Sequence, residues 1–227
     1  EIVRATHADI ARAFPQVIWH TETPTTRTAP APMFLLSELV RNSGFKVVLT
    51  GEGADEVLAG YDIFKEAAIR RFWARRPESS LRPLLLRRLY ADIPGMAKTS
   101  PAFLTAFFRA GLTEVDSPHY SHLVRWRNNA RSRRFFSEYV ACAAEAARDG
   151  EPRLPERFSS WGALQRAQYL ESTIFLSEYL LCSQGDRVAM AHSVESRMPF
   201  LDYRLVEFCN SMPSNLKLCG LKDKRLL

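Results

Sequence analysis

The chain has 227 residues, of which 46% are hydrophobic and 25% charged. That composition excludes wholesale disorder and a collagen-like fibre, and the length leaves one large domain or two small ones. The apolar runs fall far short of the roughly 20 residues a bilayer span needs. Glu1-Ile2-Val3-Arg4 lacks the apolar core of a signal peptide and reads as the interior of a longer chain. The 31 basic and 25 acidic residues give a net charge of +6. The arginines at 70–71, 75–76, 82, 87–88 and within 125–134 alternate with apolar residues at helical spacing, which predicts solvated helix faces rather than a nucleic-acid surface. Cys142, Cys182, Cys209 and Cys219 form no C-x-x-C pair and are expected to be reduced core thiols of a cytoplasmic protein.

In chain order, Ile2, Val3, Ile10, Ala13 and Phe14 predict a helix over 1–14 that Pro15 stops. Gln16-Val17-Ile18-Trp19 follows as a short strand. His20 to Pro32 reads as a loop, rich in Pro and Thr and long enough, with Arg27, to border a substrate. A helix is expected from Pro32, burying Phe34, Leu35, Leu39 and Val40 and ending before Gly44. Lys46-Val47-Val48-Leu49-Thr50 suits a buried strand, Gly51 to Gly53 a sharp turn, and a helix should begin near Asp55. Helix, strand, glycine turn, helix is the order of a parallel α/β sheet.

From 62 to 160 no strand is expected. Helical patterns recur over Ala67–Arg75, Leu81–Leu89, Pro101–Arg109 and Arg134–Arg148, punctuated at Pro77, Pro94-Gly95, Gly111 and Asp149-Gly150. Tyr61, Phe64, Phe72 and Trp73 are expected in the core. Trp161–Cys182 predicts one long helix ended by Gly185, then a short helix over Val188–Val194, a turn at Pro199–Asp202 and a helix over Tyr203–Ser211. The chain then stops at Lys224-Arg225-Leu226-Leu227 in what reads as a further helix, so both ends look cut. The expected class is α/β, predominantly helical.

The turn after the Lys46–Thr50 strand carries the chemistry. Ligands of open α/β sheets bind at the carboxyl ends of strands, and this turn places Glu52, Asp55 and Glu56 there. Gly51 and Gly53 let the backbone turn sharply and approach a ligand. Acids beside a phosphate require a cation between them, and oxygen ligands suit Mg²⁺. The competing structural reading is an N-cap at Asp55 and a macrodipole partner at Glu56. Further on, Arg187, Glu195 and Arg197 form either part of a recognition surface or an ion-pair lattice, and Asp186 and Asp202 either bind or cap helices. His192 lacks a second ligand at metal spacing and is expected to be structural.

Val48-Leu49-Thr50-Gly51-Glu52-Gly53-Ala54-Asp55-Glu56-Val57-Leu58-Ala59-Gly60-Tyr61 resembles the signature of the asparagine synthetase family, C-terminal synthetase domain. The block from Gly185-Asp186-Arg187 through Glu195-Ser196-Arg197-Met198-Pro199-Phe200-Leu201-Asp202 resembles a second conserved stretch of that family, and Lys222-Asp223-Lys224-Arg225 its lysine-bearing segment. The resemblance implies an adenine-nucleotide alpha hydrolase-like, Rossmann-like domain that uses ATP and Mg²⁺ to adenylate the side-chain carboxylate of aspartate. Ammonia from a glutaminase domain then displaces AMP. It implies phosphate contacts through Gly51, Gly53, Asp55 and Lys224, with Asp55 on the metal. Glu52 would assist amide formation, Lys224 would stabilise pyrophosphate departure, and Asp186, Arg187, Glu195 and Arg197 would shape the amino-acid pocket. Residues 1–66 would then be the remainder of the nucleotide core, 67–160 a helical region and 161–227 a C-terminal helical segment. The family's Ser-Gly-Gly-x-Asp-Ser loop is not among these residues, so ATP turnover by this chain alone is not expected. A β-lactam-type synthetase or related amidotransferase, and a basic nucleic-acid-binding module, are the alternatives; the resemblance leaves a homo-oligomer open.

Overall fold

The computed structural model describes residues 2–25, 27–90, 93, 95, 99–146 and 152–227. The expected punctuation at Pro94 and Asp149-Gly150, and the helix end at Arg148, lie outside them. The chain is predominantly helical with a two-stranded parallel sheet and divides into two compact units.

The first unit comprises 1–57 and 171–211. Helix α1 spans His7–Thr21, starting later than expected because Thr6 and Asp9 form a capping box. It also runs through Pro15, so the expected strand at 16–19 does not form. Pro15 is exposed, which lets water satisfy the freed carbonyl, and the buried stripe Ala13, Val17, Thr21 at a spacing of four holds the helix on its core. Helix α2, Pro30–Asn42, starts two residues early with Pro30 in its first turn. It buries Phe34 as expected, whereas Leu35, Leu39 and Val40 are half-buried. Ala13, Val17, Ala31, Phe34 and Val188 make the core.

Strand β1, Val47–Leu49, pairs in parallel with β2, Glu195–Arg197, with Val47 opposite Glu195, Val48 opposite Ser196 and Leu49 opposite Arg197. The expectation of a buried β1 is corrected: Leu49 is 70% exposed and Val47 44%. A two-stranded sheet has one covered face here, and alternation turns Val47 and Leu49 to the other. Helix α3 is Ala54–Leu58. Residues Glu171–Asp186 are π-helical and lead into α9, Arg187–Met190, so Gly185 does not end the helix. The wider turn brings the Leu180 carbonyl within 2.9 Å of where a Cβ on residue 185 would stand, a place only glycine fills without displacement. A turn with Ser193 at φ 55 replaces the expected helix beyond residue 190 and delivers buried Val194 to β2. Helix α10, Tyr203–Ser211, is as expected, and Asp202 caps it by accepting from the Arg204 N–H at 3.0 Å.

The second unit comprises 58–170 and 212–227. It contains α4 (Asp62–Ala74), α5 (Pro101–Phe108), α6 (Leu123–Ala130), α7 (Glu138–Ala146), α8 (Ala163–Leu170) and α11 (Ser214–Lys217). Arg82–Arg88 is a 3₁₀ rather than an α helix; its inward residues Pro83, Leu86 and Leu89 recur every third position, the 3₁₀ repeat. Phe64 and Trp73 are buried as expected, while Phe72 lies at the surface beneath Arg82.

Three expectations change in this unit. Arg70 is not on a wet face but fully buried, because the end of α5 at Phe108 and the irregular segment that follows it to Tyr120 present carbonyls that need a donor. Cys142 and Cys219 are exposed, and Cys209 of the first unit alone is buried. Residues 222–227 form turns, not a helix, with a bridge between Cys219 and Lys222. No helix among the described residues is long and apolar enough to cross a membrane.

Candidate active site

The elbow after β1 is built by local rules. Thr50 continues the ladder, its N–H donating to the Arg197 carbonyl at 2.9 Å, and the chain then turns through Gly51, Glu52 and Gly53. Gly53 has φ +91, and a Cβ there would stand 2.2 Å from Leu201 Cδ2. Gly51 has open space on its Cβ side, with nothing within 4 Å. Gly53→Ala is therefore expected to destabilise the protein by about 1–3 kcal/mol through backbone strain and overpacking. Gly51→Ala should melt within experimental error of wild type, and thermal unfolding of the two variants side by side checks the contrast.

Asp55 sits inside the first turn of α3, one residue beyond Ala54, so the N-cap reading is corrected. Glu56 also lies in the first turn of α3, where the macrodipole reading put it, and is buried, 1% exposed. Glu52 is half-buried, and burial pushes its carboxyl above the usual range, with the neighbouring charge of Asp55 adding to the rise. Glu52 also lines a cavity of about 300 Å³, with Thr50 and Gly51 of the elbow, Val48 of β1, Ser37 of α2 and Ser196 of β2.

Asp186, Arg187, Glu195 and Arg197 do not line that cavity. Asp186 is exposed and makes no cap bond. Arg187 donates to the Thr21 carbonyl at the end of α1. Glu195 and Arg197 pair with each other at 2.8 Å on the face opposite Ser196, so the expected lattice reduces to this one exposed pair. Strand alternation is the signal that could have exchanged them for Ser196, once the segment is known to be a strand. Behind the cavity, the Ser37 hydroxyl lies 2.8 Å from His192 Nδ1, 2.8 Å from the Phe34 carbonyl and 3.0 Å from that of Val188. His192 also packs on Phe34 at 4.3 Å between ring centres, and burial lowers its pKa, as suits a structural imidazole. Lys224 belongs to the second unit and is half-buried in a turn, at φ 41.

Among the described residues no three His, Cys, Asp or Glu side chains converge on a point that could hold a metal ion. Glu52 and Asp55 lie close enough for their charges to couple, and a magnesium ion, which completes its shell with phosphate and water oxygens, would need only one or two carboxylates, such as that of Asp55.

The chain spans about a third of the length of the curated relatives it matches. A Penicillium rubens protein named "Amidase chyE" is 28% identical over 99% of this chain and 34% of its own length. "Asparagine synthetase [glutamine-hydrolyzing] 1" of Bacillus subtilis is 27% identical over 94% of this chain and 32% of its own. The nodule asparagine synthetase of Pisum sativum is 48% identical over 60 residues, 26% of this chain and 10% of its own length. No solved structure matches. The asparagine synthase family model matches residues 1–227. A parallel strand pair, an acidic glycine elbow at the strand's carboxyl end and a family match along the whole chain converge: this chain belongs to the asparagine synthase family, whose domain has the adenine-nucleotide alpha hydrolase-like fold.

Proposed function

We propose that this chain is part of an ATP-dependent amide-forming ligase that adenylates the side-chain carboxylate of aspartate and transfers glutamine-derived ammonia to it. Residues 1–66 supply the remainder of the nucleotide core, 67–160 a helical region and 161–227 a C-terminal segment. The observation that carries the reading is Glu52: a half-buried carboxyl, raised by desolvation, on a glycine elbow at the end of a parallel strand and on the wall of a cavity.

In the first step a carboxylate oxygen of the acid bonds to the α-phosphorus of ATP, the bond to the β-phosphate breaks, and pyrophosphate leaves. Asp55 would hold Mg²⁺, which would supply charge neutralisation at the phosphates. The backbone at Gly51 and Gly53 contacts the phosphates, and the Lys224 ammonium stabilises the departing pyrophosphate. In the second step ammonia attacks the acyl carbon, AMP leaves with its electron pair, and Glu52 takes the nitrogen's proton. Asp186, Arg187, Glu195 and Arg197 act as supports of the amino-acid pocket. A cytoplasmic setting fits four cysteines that form no disulfide.

Met33, Leu36 and Val40 also line the cavity beside Glu52, and this apolar wall favours as second reading a related amidotransferase or β-lactam-type synthetase whose acid is less polar than aspartate. Pyrophosphate release by the full-length protein, with aspartate and a panel of other acids, tests both. Asp55→Asn and Lys224→Ala are each expected to lower the rate by about 10²-fold or more. Wild-type rates in both variants would remove the site assignment.

A further inference from the structure

The turn that carries Lys224 is tied to α4 by a relay of charges to which the proposed chemistry gives no part. Lys65 stands one turn into α4, and its ammonium lies 2.8 Å from Asp223 Oδ2 and 3.0 Å from Asp62 Oδ1. The Lys65 side chain is 16% exposed, so the two ion pairs are partly shielded from water. Asp62 lies in the first turn of α4, where the helix dipole favours a carboxylate. Its other oxygen accepts from the Tyr90 N–H at 2.6 Å, which fixes this carboxylate on both sides. Burial works against the charge on Lys65, and the hydrogen bonds from Lys65 to Asp223 and Asp62 outweigh it, raising its pKa above the ordinary lysine value. Lys65 therefore stays an ammonium throughout the neutral range.

The backbone next to Asp223 is unusual. Cys219 and Lys222 exchange N–H···O bonds of 3.0 Å around Gly220, and the chain then passes through Asp223 into Lys224, which has φ 41. A residue with a Cβ rarely enters this left-handed region, and it stays there only where its surroundings fix it. After Lys224, the Arg225 N–H donates to the Lys217 carbonyl at 3.3 Å and the Leu227 N–H to the Lys224 carbonyl at 2.9 Å. Before it, the anchor is the Asp223 carboxylate on Lys65. All these contacts lie within the second unit.

We propose that Lys65 is a positioning residue of the adenylation step: by holding Asp223 it sets the backbone from which the Lys224 ammonium reaches the departing pyrophosphate. This rests on the role proposed above for Lys224. Stabilisation of a leaving group depends on where the charge stands, and a misplacement of about 1 Å can cost about 10²-fold in rate. Asp62 serves the same end one step back, since it holds the Lys65 ammonium toward Asp223. A pair that merely braced the fold would act alike whichever residue stood at 224. A pair that aims Lys224 loses its effect once that ammonium is removed.

The test is pyrophosphate release by the full-length protein in a double-mutant cycle of Lys65→Met and Lys224→Ala. Lys65→Met is expected to lower kcat about 10-fold and to leave KM for the acid within about two-fold of wild type. In the Lys224→Ala background the same substitution should change the residual rate by less than about two-fold. Should Lys65→Met not fold, the same cycle run with Asp223→Asn, which weakens the relay from its more exposed end, decides. A wild-type kcat in the single variant, beside a slow Lys224→Ala, overturns the positioning role and leaves that of Lys224 standing. A 10-fold loss that persists in the Lys224→Ala background makes the pair a brace of the fold and overturns it too. A wild-type rate in Lys224→Ala alone removes the role of Lys224, and the positioning role falls with it.

Discussion

Replacing Glu52 by Gln in the full-length protein is expected to lower amide formation by about 10²–10⁴-fold, the usual contribution of a positioned general base, while pyrophosphate release stays within a few-fold of wild type. The separation follows from the two steps. In the proposed reaction, adenylation draws on charge around the phosphates, the role assigned to Asp55 and Lys224; the loss of a proton from the attacking nitrogen draws on a carboxylate at the acyl group. Glutamine keeps the size and most of the hydrogen bonding of the side chain but cannot accept that proton. Parallel assays of pyrophosphate and amide resolve the two, and an equal fall in both would move Glu52 to the adenylation step.

The same residue sets a pH dependence. Burial, then Asp55, raises the Glu52 carboxyl, so the base form appears at higher pH than for an ordinary glutamate. The acid limb of amide formation should therefore lie above the usual carboxylate range and vanish in Glu52→Gln. For stability, the folded chain binds this proton more tightly than the unfolded one. The contribution is fully present below the unfolded value and is lost as pH rises through the raised folded value. At neutral pH the variant should thus unfold no more easily than wild type, and urea titrations across the acid range check the sign.

Arg70→Met is expected to cost about 3–5 kcal/mol of stability, the range found when one partner of a buried charged hydrogen-bond network is removed. Arg70 is fully buried and donates through Nε to the Phe108 carbonyl at 3.1 Å, through Nη1 to Tyr120 at 3.0 Å and through Nη2 to Ala110 at 2.7 Å. Its guanidinium also lies 4.5 Å from the centre of the Tyr120 ring. Methionine fills much of the volume but leaves three carbonyls facing an apolar group, each worth about 1–3 kcal/mol when deprived of a partner. Lysine keeps the charge, yet one ammonium cannot reproduce the planar fork, so Arg70→Lys should recover only part of the loss. Urea midpoints of the three proteins measure this; a loss below about 1 kcal/mol for Arg70→Met would mean that the segment 108–120 repairs itself.

What the sequence determined by itself was whatever neighbours in the chain decide. The elbow at 51–56 is legible because a β-rich run ending in two glycines and three acids specifies a strand end, a turn and a helix start over ten residues. Helices α5 and α10 are legible because their caps are local: Ser100 accepts from the Phe103 N–H at 3.1 Å and Asp202 from that of Arg204. The tertiary structure decided the rest, because the deciding partner lies far along the chain. Glu195-Ser196-Arg197 has no strand propensity and becomes β2 by pairing with β1, about 150 residues earlier, which turns Ser196 rather than Glu195 or Arg197 toward the cavity. Helix α1 survives Pro15 because its buried stripe packs on α2 and α9. Arg70 reads as one more surface cation until the carbonyls of residues 108, 110 and 120 are brought around it. Propensity and capping act over one turn of chain; burial, strand pairing and the satisfaction of a distant carbonyl depend on contacts that only the folded chain supplies.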